Sequence, residues 1–138
     1  MRKNLFGIIA LALGLFSIVP SAMAHHSFAA EFDANKPITI RGNVTRVSWS
    51  NPHVWVYLNV TDEQGKVTNW GFEMGATQQV RNQGWDRTTL HTGDEIIVEG
   101  YSARDGSPRM NARSVTWAAT GLKLGAASSI DNERNNQK

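Results

Sequence analysis

The chain has 138 residues, with 14 basic and 12 acidic side chains and a formal charge of +2. It contains no cysteine, which excludes disulfides, thiolate metal sites and cysteine nucleophiles. The charges are interspersed along the sequence instead of forming a basic patch, so we predict that the protein does not bind nucleic acid.

The N-terminus has the features of a secretory leader. Arg2 and Lys3 precede an apolar run from Leu5 to Val19, and an Ala-Met-Ala triplet ending at Ala24 follows. This order is typical of a signal peptide at residues 1–24. The run of about 15 residues is shorter than the roughly 20 that span a bilayer as a helix, so we predict no membrane span after cleavage. We expect the mature protein to be periplasmic.

The remainder divides by composition into an arm at residues 25–37, a folded domain at 38–119 and a polar tail at 120–138. The tail lacks apolar periodicity, and we expect it to be disordered. In the arm, Phe28 and Phe32 are four residues apart, so one helical turn aligns them. We expect the arm to fold back onto the second strand and cover the aromatic side chains there.

The folded domain begins with a long predicted strand. In residues 38–49 the apolar positions alternate up to Val44 and then continue on the other parity from Val47. A slip of one residue near Gly42 predicts a β-bulge in this strand.

The next strand has the clearest alternation in the chain. In residues 53–61, Val54, Val56 and Leu58 share one face, and the other face carries Trp55 and Tyr57. Further along the chain, the pattern predicts strands at residues 67–74, 95–103 and 110–118, with a short helix at 76–83 that Gly84 terminates.

The order of elements is therefore three strands, a short helix and two strands. This order predicts an all-β fold, a five-stranded OB-like barrel with one short helix between strands 3 and 4. A long, bulged first strand suits a barrel because that strand has to curl through both halves. An open antiparallel sandwich is the alternative architecture.

Three segments carry a resemblance to a known family: HHSFAAEFD from His25, RGNVTRVSWSNPHVWVYLNV from Arg41, and LHTGDEIIVEGYSARDG from Leu90. They resemble a bacterial family of small exported domains of unknown function that begin with His-His-Ser-Phe. The Gly-Asp-x-apolar-x-Val-x-Gly pattern from Gly93 is also similar to periplasmic bacterial OB-fold proteins. The resemblance implies an OB-like fold and an exported protein, and it implies no activity.

Cleavage after Ala24 would make His25 the N-terminal residue, directly followed by His26. A terminal amine and a histidine ring can chelate one metal ion, and imidazole nitrogens suit copper, zinc and nickel. His53 is the leading candidate for a further ligand, and His91 is the second. Other side chains could supply oxygen or sulfur: Glu31, Asp33, Glu73, Met74 and Met110. We predict a non-enzymatic, metal-binding module, with copper as the first metal to test.

The alternative function uses the aromatic face of the second strand. OB-folds bind ligands on the face of strands 2 and 3, and Trp55 and Tyr57 would lie there as ligand-binding residues. This alternative is an interaction module for an unidentified periplasmic protein or a small ligand such as a glycan. The sequence has no nucleophile elbow, phosphate-binding glycine loop or dinucleotide fingerprint, so we predict that the protein is not an enzyme.

Overall fold

The computed structural model describes residues 28–131. Secondary structure in this range runs in chain order as α1 Phe28–Glu31, β1 Phe32–Trp49, β2 Val54–Thr61, β3 Val67–Glu73, α2 Thr77–Asn82, β4 Glu95–Ala103, β5 Arg109–Trp117 and β6 Lys123–Gly125. The predicted all-β class is confirmed, and α2 lies between the third and fourth strands as predicted.

The strands form one sheet in the order β3-β2-β1-β4-β5-β6, in which neighbouring strands are antiparallel. An additional parallel pairing joins β3 to β5, with Phe72 opposite Met110. This pairing connects β3 to a strand from the other half of the sheet, so the strands follow one another in a ring. The alternating apolar side chains of each strand therefore have an interior to fill.

The long first strand contains the predicted bulge. Ile40, Gly42 and Val44 are buried, and the register with β2 then shifts between Val44 and Arg46. Gly42 lies against β2, where a Cβ atom would come within 2.3 Å of the Asn59 carbonyl oxygen. A glycine is required at this point because the two backbones approach too closely for any side chain.

The interior of the ring is apolar. Its fully buried side chains come from five strands, from α2 and from the segment after β3: Val44, Val54, Val56, Leu58, Phe72, Met74, Val80, Ile96, Val98, Met110 and Val115. Val80 is the side chain that α2 contributes, and Gly84 ends the helical region with a φ of 95°. The helix therefore packs against the apolar interior through Val80, a contact that the sequence pattern did not specify.

The prediction of a disordered tail at 120–138 is wrong for residues 120–131. Residues 123–125 form β6 beside β5, which makes six strands instead of the predicted five. Ala126, Ser128 and Ile130 are buried, and the Gly75 amide donates a hydrogen bond to the Ala126 carbonyl at 2.9 Å. The segment is held by backbone hydrogen bonds and small side chains, which leave no apolar periodicity to detect. Residues 132–138 lie outside the described range.

The predicted arm is also corrected, because β1 already begins at Phe32. One helical turn brings the rings of Phe28 and Phe32 within 5.8 Å of each other, as predicted. These rings pack with Tyr101, Ala103 and Ile130 instead of covering β2. They form a second, smaller apolar cluster where β1, β4 and the C-terminal segment meet.

Three sequence predictions fall on residues before Phe28. The signal peptide at 1–24 and the metal ligands His25 and His26 lie outside the described residues. None of the helices within residues 28–131 is long and apolar enough to cross a bilayer.

Candidate functional site

The candidate site lies on the outer face of three adjacent strands, where two rows of residues cross β2, β3 and β5. In the first row Trp55 pairs with Glu73, which pairs with Asn111. In the second row Tyr57 pairs with Gly71, which pairs with Arg109. The row between them points inwards and is apolar. Strand alternation therefore places chemistry-bearing side chains together although they are far apart in the sequence.

His53 lies directly before β2, next to the first row. Its Nδ1 atom is hydrogen-bonded to Oε1 of Glu73 in a short contact. Side-chain exposure is 29% for His53 and 12% for Glu73, so water screens the pair only in part. The hydrogen bond to Glu73 raises the pKa of the His53 imidazole; burial opposes this effect, and the charges of Glu73 and Glu31 reinforce it.

The second carboxylate oxygen of Glu73 is also occupied. Asn111 Nδ2 donates to Oε2 of Glu73 at 3.3 Å and to Oγ of Ser129 at 3.0 Å. Ser128 donates its hydroxyl hydrogen to Oδ1 of Asn111 at 2.5 Å. Asn111 and Ser128 have no exposed surface. A polar network therefore runs from half-buried His53 into the protein, and it ends in the segment that follows β6.

This network determines which nitrogen of His53 is available. A neutral histidine ring has one donor and one acceptor nitrogen, and a carboxylate is an acceptor only. With Glu73 on Nδ1, the neutral ring carries its hydrogen there, and the lone pair of Nε2 remains for a metal ion or a proton.

The aromatic pair lies beside this network. The rings of Trp55 and Tyr57 are 6.4 Å apart at an interplanar angle of 23°. Both rings pack next to Gly71, where an added Cβ would come within 3.3 Å of Tyr57 Cε1 and 3.6 Å of Trp55 Cζ3. The Arg46 guanidinium stacks on the Tyr57 ring, 4.0 Å from its centroid. The missing side chain at Gly71 thus lets the two rings lie along the sheet.

An open groove of about 440 Å³ follows the aromatic pair. It is lined by Trp55, Tyr57, Asn69, Gly71, Ser107, Pro108 and Arg109. Arg109 bonds to Asp105 at 3.0 Å and lies 3.9 Å from an oxygen of Glu31 in α1. The charge of Glu31 also adds to the raised pKa of His53, so this carboxylate lies near both the polar network and the groove.

The other candidate ligands are not brought together. Met74 and Met110 are buried in the apolar interior. The His91 side chain is 68% exposed, and its ring Nδ1 lies 4.0 Å from Oδ2 of Asp94. Within residues 28–131, no three histidine or acidic side chains are grouped to hold a metal ion. Within this range, His53 is thus not part of a complete group of metal ligands.

Sequence reasoning missed Asn111, Ser128 and Arg109 as members of the site, and it considered Glu73 only as an oxygen ligand. The one available signal was Asn111, an amide between the core residues Met110 and Ala112. A polar side chain in a buried stretch of strand requires a partner. That partner, Glu73, is 38 residues away, across a parallel pairing.

The fold and this site together define a small all-β domain with a ring-like sheet and a polar and aromatic patch on its outer face. The chain belongs to DUF6152, a family of unknown function whose family model matches residues 12–113. The matched range contains His53, Trp55, Tyr57, Glu73 and Asn111. The resemblance to a family without an established function is thereby confirmed. A search of curated proteins gave no match.

Proposed function

We propose that the protein is an exported, periplasmic, non-enzymatic binding domain that holds a transition-metal ion, copper first among them, at His53, His25 and His26. We also propose that its ring of strands is an OB-like barrel. The parallel pairing of β3 with β5, the bulged β1 and the helix between β3 and β4 support that fold.

The observation that carries the proposal is the hydrogen bond between His53 and Glu73. Metal-binding histidines characteristically donate their other ring N–H to a carboxylate, which fixes the ring and makes it a better ligand. Glu73 supports such a role for His53, and Nε2 is then the metal-binding atom.

Chain length supports the participation of the first two mature residues. A residue spans at most about 3.6 Å, so the three residues from His25 to Phe28, where α1 begins, can bridge no more than about 11 Å. The negative charge of Glu31, at the other end of α1, contributes to the raised pKa of His53. A free terminal amine with the His25 and His26 rings is nitrogen-rich, which suits Cu(II).

The test is a Cu(II) titration of protein that begins at His25, followed by electron paramagnetic resonance. We expect one tight site with nitrogen hyperfine structure, and we expect His53→Ala to weaken binding and reduce the number of nitrogen ligands. A matched control, His91→Ala, should leave the affinity unchanged. A protein with one additional Met before His25 should bind much more weakly; unchanged affinity in that protein would contradict the proposal.

A second candidate function, binding of a glycan or a protein, is supported by the groove beside Trp55 and Tyr57. A glycan array and crosslinking in periplasmic extract would test it, with circular dichroism to verify folding. Trp55→Ala should abolish binding, whereas Leu122→Ala, which truncates an exposed side chain elsewhere, should not. Equal binding by the two variants would remove the groove from consideration.

A further inference from the structure

We infer that Glu73 is a positioning residue for His53: held in place by Asn111, its carboxylate keeps the ring hydrogen on Nδ1 and presents Nε2 as the binding atom. This inference deepens the proposed metal site and, in its metal-binding part, rests on it.

The directions of the hydrogen bonds around Glu73 are determined by chemistry. An ionised carboxylate only accepts, so Asn111 must present its NH₂ group to Oε2 of Glu73. That orientation leaves the amide oxygen of Asn111 to accept from Ser128, as observed. By the same rule, His53 must present N–H at Nδ1 to the other oxygen of Glu73. The hydrogen bonds from His53 and from Asn111 therefore both point towards the carboxylate of Glu73.

Burial makes this arrangement rigid. Asn111 and Ser128 are fully buried, and within residues 28–131 every buried polar side-chain atom has a hydrogen-bond partner. Turning the Asn111 amide over would place its oxygen against the carboxylate of Glu73, which is strongly unfavourable in a site with little water. The buried residues Asn111 and Ser128 thus fix the position of Glu73. Glu73 in turn fixes the orientation of the His53 ring at the surface.

A simple ion pair would make a different prediction. A pair held together by charge alone, without a directed hydrogen bond at Nδ1, would not determine which ring nitrogen carries the hydrogen once the ring is neutral. A free neutral histidine prefers its hydrogen on Nε2, the reverse of the form that Glu73 imposes. The tautomer of His53 therefore shows whether a directed hydrogen bond from Nδ1 to Glu73 leaves Nε2 as the binding atom, which a pair held by charge alone would not do.

The first measurement is the ¹H–¹⁵N two-bond spectrum of His53 in metal-free protein, recorded where the ring is neutral. We expect the hydrogen on Nδ1 in the wild-type protein and a mixture richer in the Nε2–H form in Glu73→Gln. Glu99→Gln is the matched control, because it neutralises an exposed glutamate on β4, and it should leave the tautomer unchanged. A wild-type ring with its hydrogen on Nε2 overturns the inference, and this result requires no variant to fold.

The second measurement is the affinity for Cu(II). Loss of a carboxylate behind a histidine ligand typically weakens metal binding about 10- to 100-fold, and we expect a loss of that size in Glu73→Gln and none in Glu99→Gln. Unchanged tautomer and unchanged affinity in folded Glu73→Gln overturn the inference. If the wild-type protein binds no copper, the proposed function fails, and the tautomer alone decides whether Glu73 positions His53.

Discussion

Charged and polar side chains are exposed on one part of the outer surface of the ring and buried on another. On β1, β4 and β6, Arg41 bonds to Glu95 and Lys123 bonds to Glu99, and all four side chains are about half exposed. On β2, β3 and β5, the outward-facing Glu73 and Asn111 are buried. The alternation of the strands is the same in both regions, so the difference arises from what covers them.

The cover is the segment that follows β6. Ser128 and Ser129 bond to Asn111, while Ile130 packs against Phe28 in α1 and Phe32 at the start of β1. Exposed ion pairs contribute little because water and salt screen them, whereas a covered polar group costs stability unless every hydrogen bond is made. The covered region is therefore the one in which substitutions should have large effects.

The largest effect is expected from truncating Phe32, which packs in the cluster that holds the segment after β6 in place. Phe32 is fully buried in the small apolar cluster, so Phe32→Ala should lower the free energy of unfolding by about 3–5 kcal/mol. Urea denaturation measures this change. Val67→Ala, at a position that is 54% exposed, should change it by less than about 0.5 kcal/mol. A loss below about 1 kcal/mol in Phe32→Ala would mean that this cluster does not hold the segment after β6 against the start of β1.

A somewhat smaller effect is expected within the network. Asn111→Ala leaves Oε2 of Glu73 and the hydroxyl of Ser128 without their partner in a buried site, which should cost about 2–3 kcal/mol. Asn59→Ala is the matched control, because that amide is exposed and bonds to Asn69. Equal losses in the two variants, measured by urea denaturation, would show that the cover does not exclude water.

A third prediction concerns the groove beside the network. Gly71→Ala places a methyl group about 3.3 Å from the Tyr57 ring, which must shift to accommodate it. We expect a cost of about 1 kcal/mol and clear changes in the NMR signals of the Tyr57 and Trp55 rings. Ala112 and other interior residues should keep their chemical shifts. Unchanged ring signals would contradict the close packing of both rings over Gly71.

The smallest effect is expected on the uncovered surface. The hydrogen bond from Lys123 lowers the pKa of Glu99, and the one from Ser114 adds to this effect. A lowered pKa contributes stability above the usual carboxyl range, and the contribution disappears as the pH falls through the folded pKa. Lys123→Met should cost at most about 0.5 kcal/mol in thermal unfolding, and less in high salt. A larger, salt-independent loss would mean that this pair is not screened by water.

Local patterns predicted the interior well. The alternation of Val54, Val56 and Leu58 indicated which face of β2 is buried, and the parity slip after Val44 indicated the bulge. The same alternation put Trp55 and Tyr57 on the outside. These predictions held because they depend only on neighbours along one strand, for which the period of two applies directly.

The candidate site was predicted only in part, because its residues are far apart in the sequence. His53, Glu73, Asn111 and Ser128 come from four separate segments, and no local pattern records that β3 pairs in parallel with β5. The burial of Asn111 depends further on residues 126–130, whose small and polar side chains resemble those of a flexible tail. The sequence therefore indicated His53 and Glu73 as separate candidate ligands, but not that Glu73 and Asn111 hold the His53 ring.

By itself, the sequence determined the strand-rich class, the buried face of β2 and the positions of the bulge and the short helix, because these follow from side-chain periodicity and from glycine. Only the tertiary structure decided that β3 meets β5, that the residues after β6 cover that junction, and that Glu73 lies between His53 and Asn111. Those relations arise from packing between segments that are distant in the sequence. Whether a charged side chain is buried depends on which of these segments covers it.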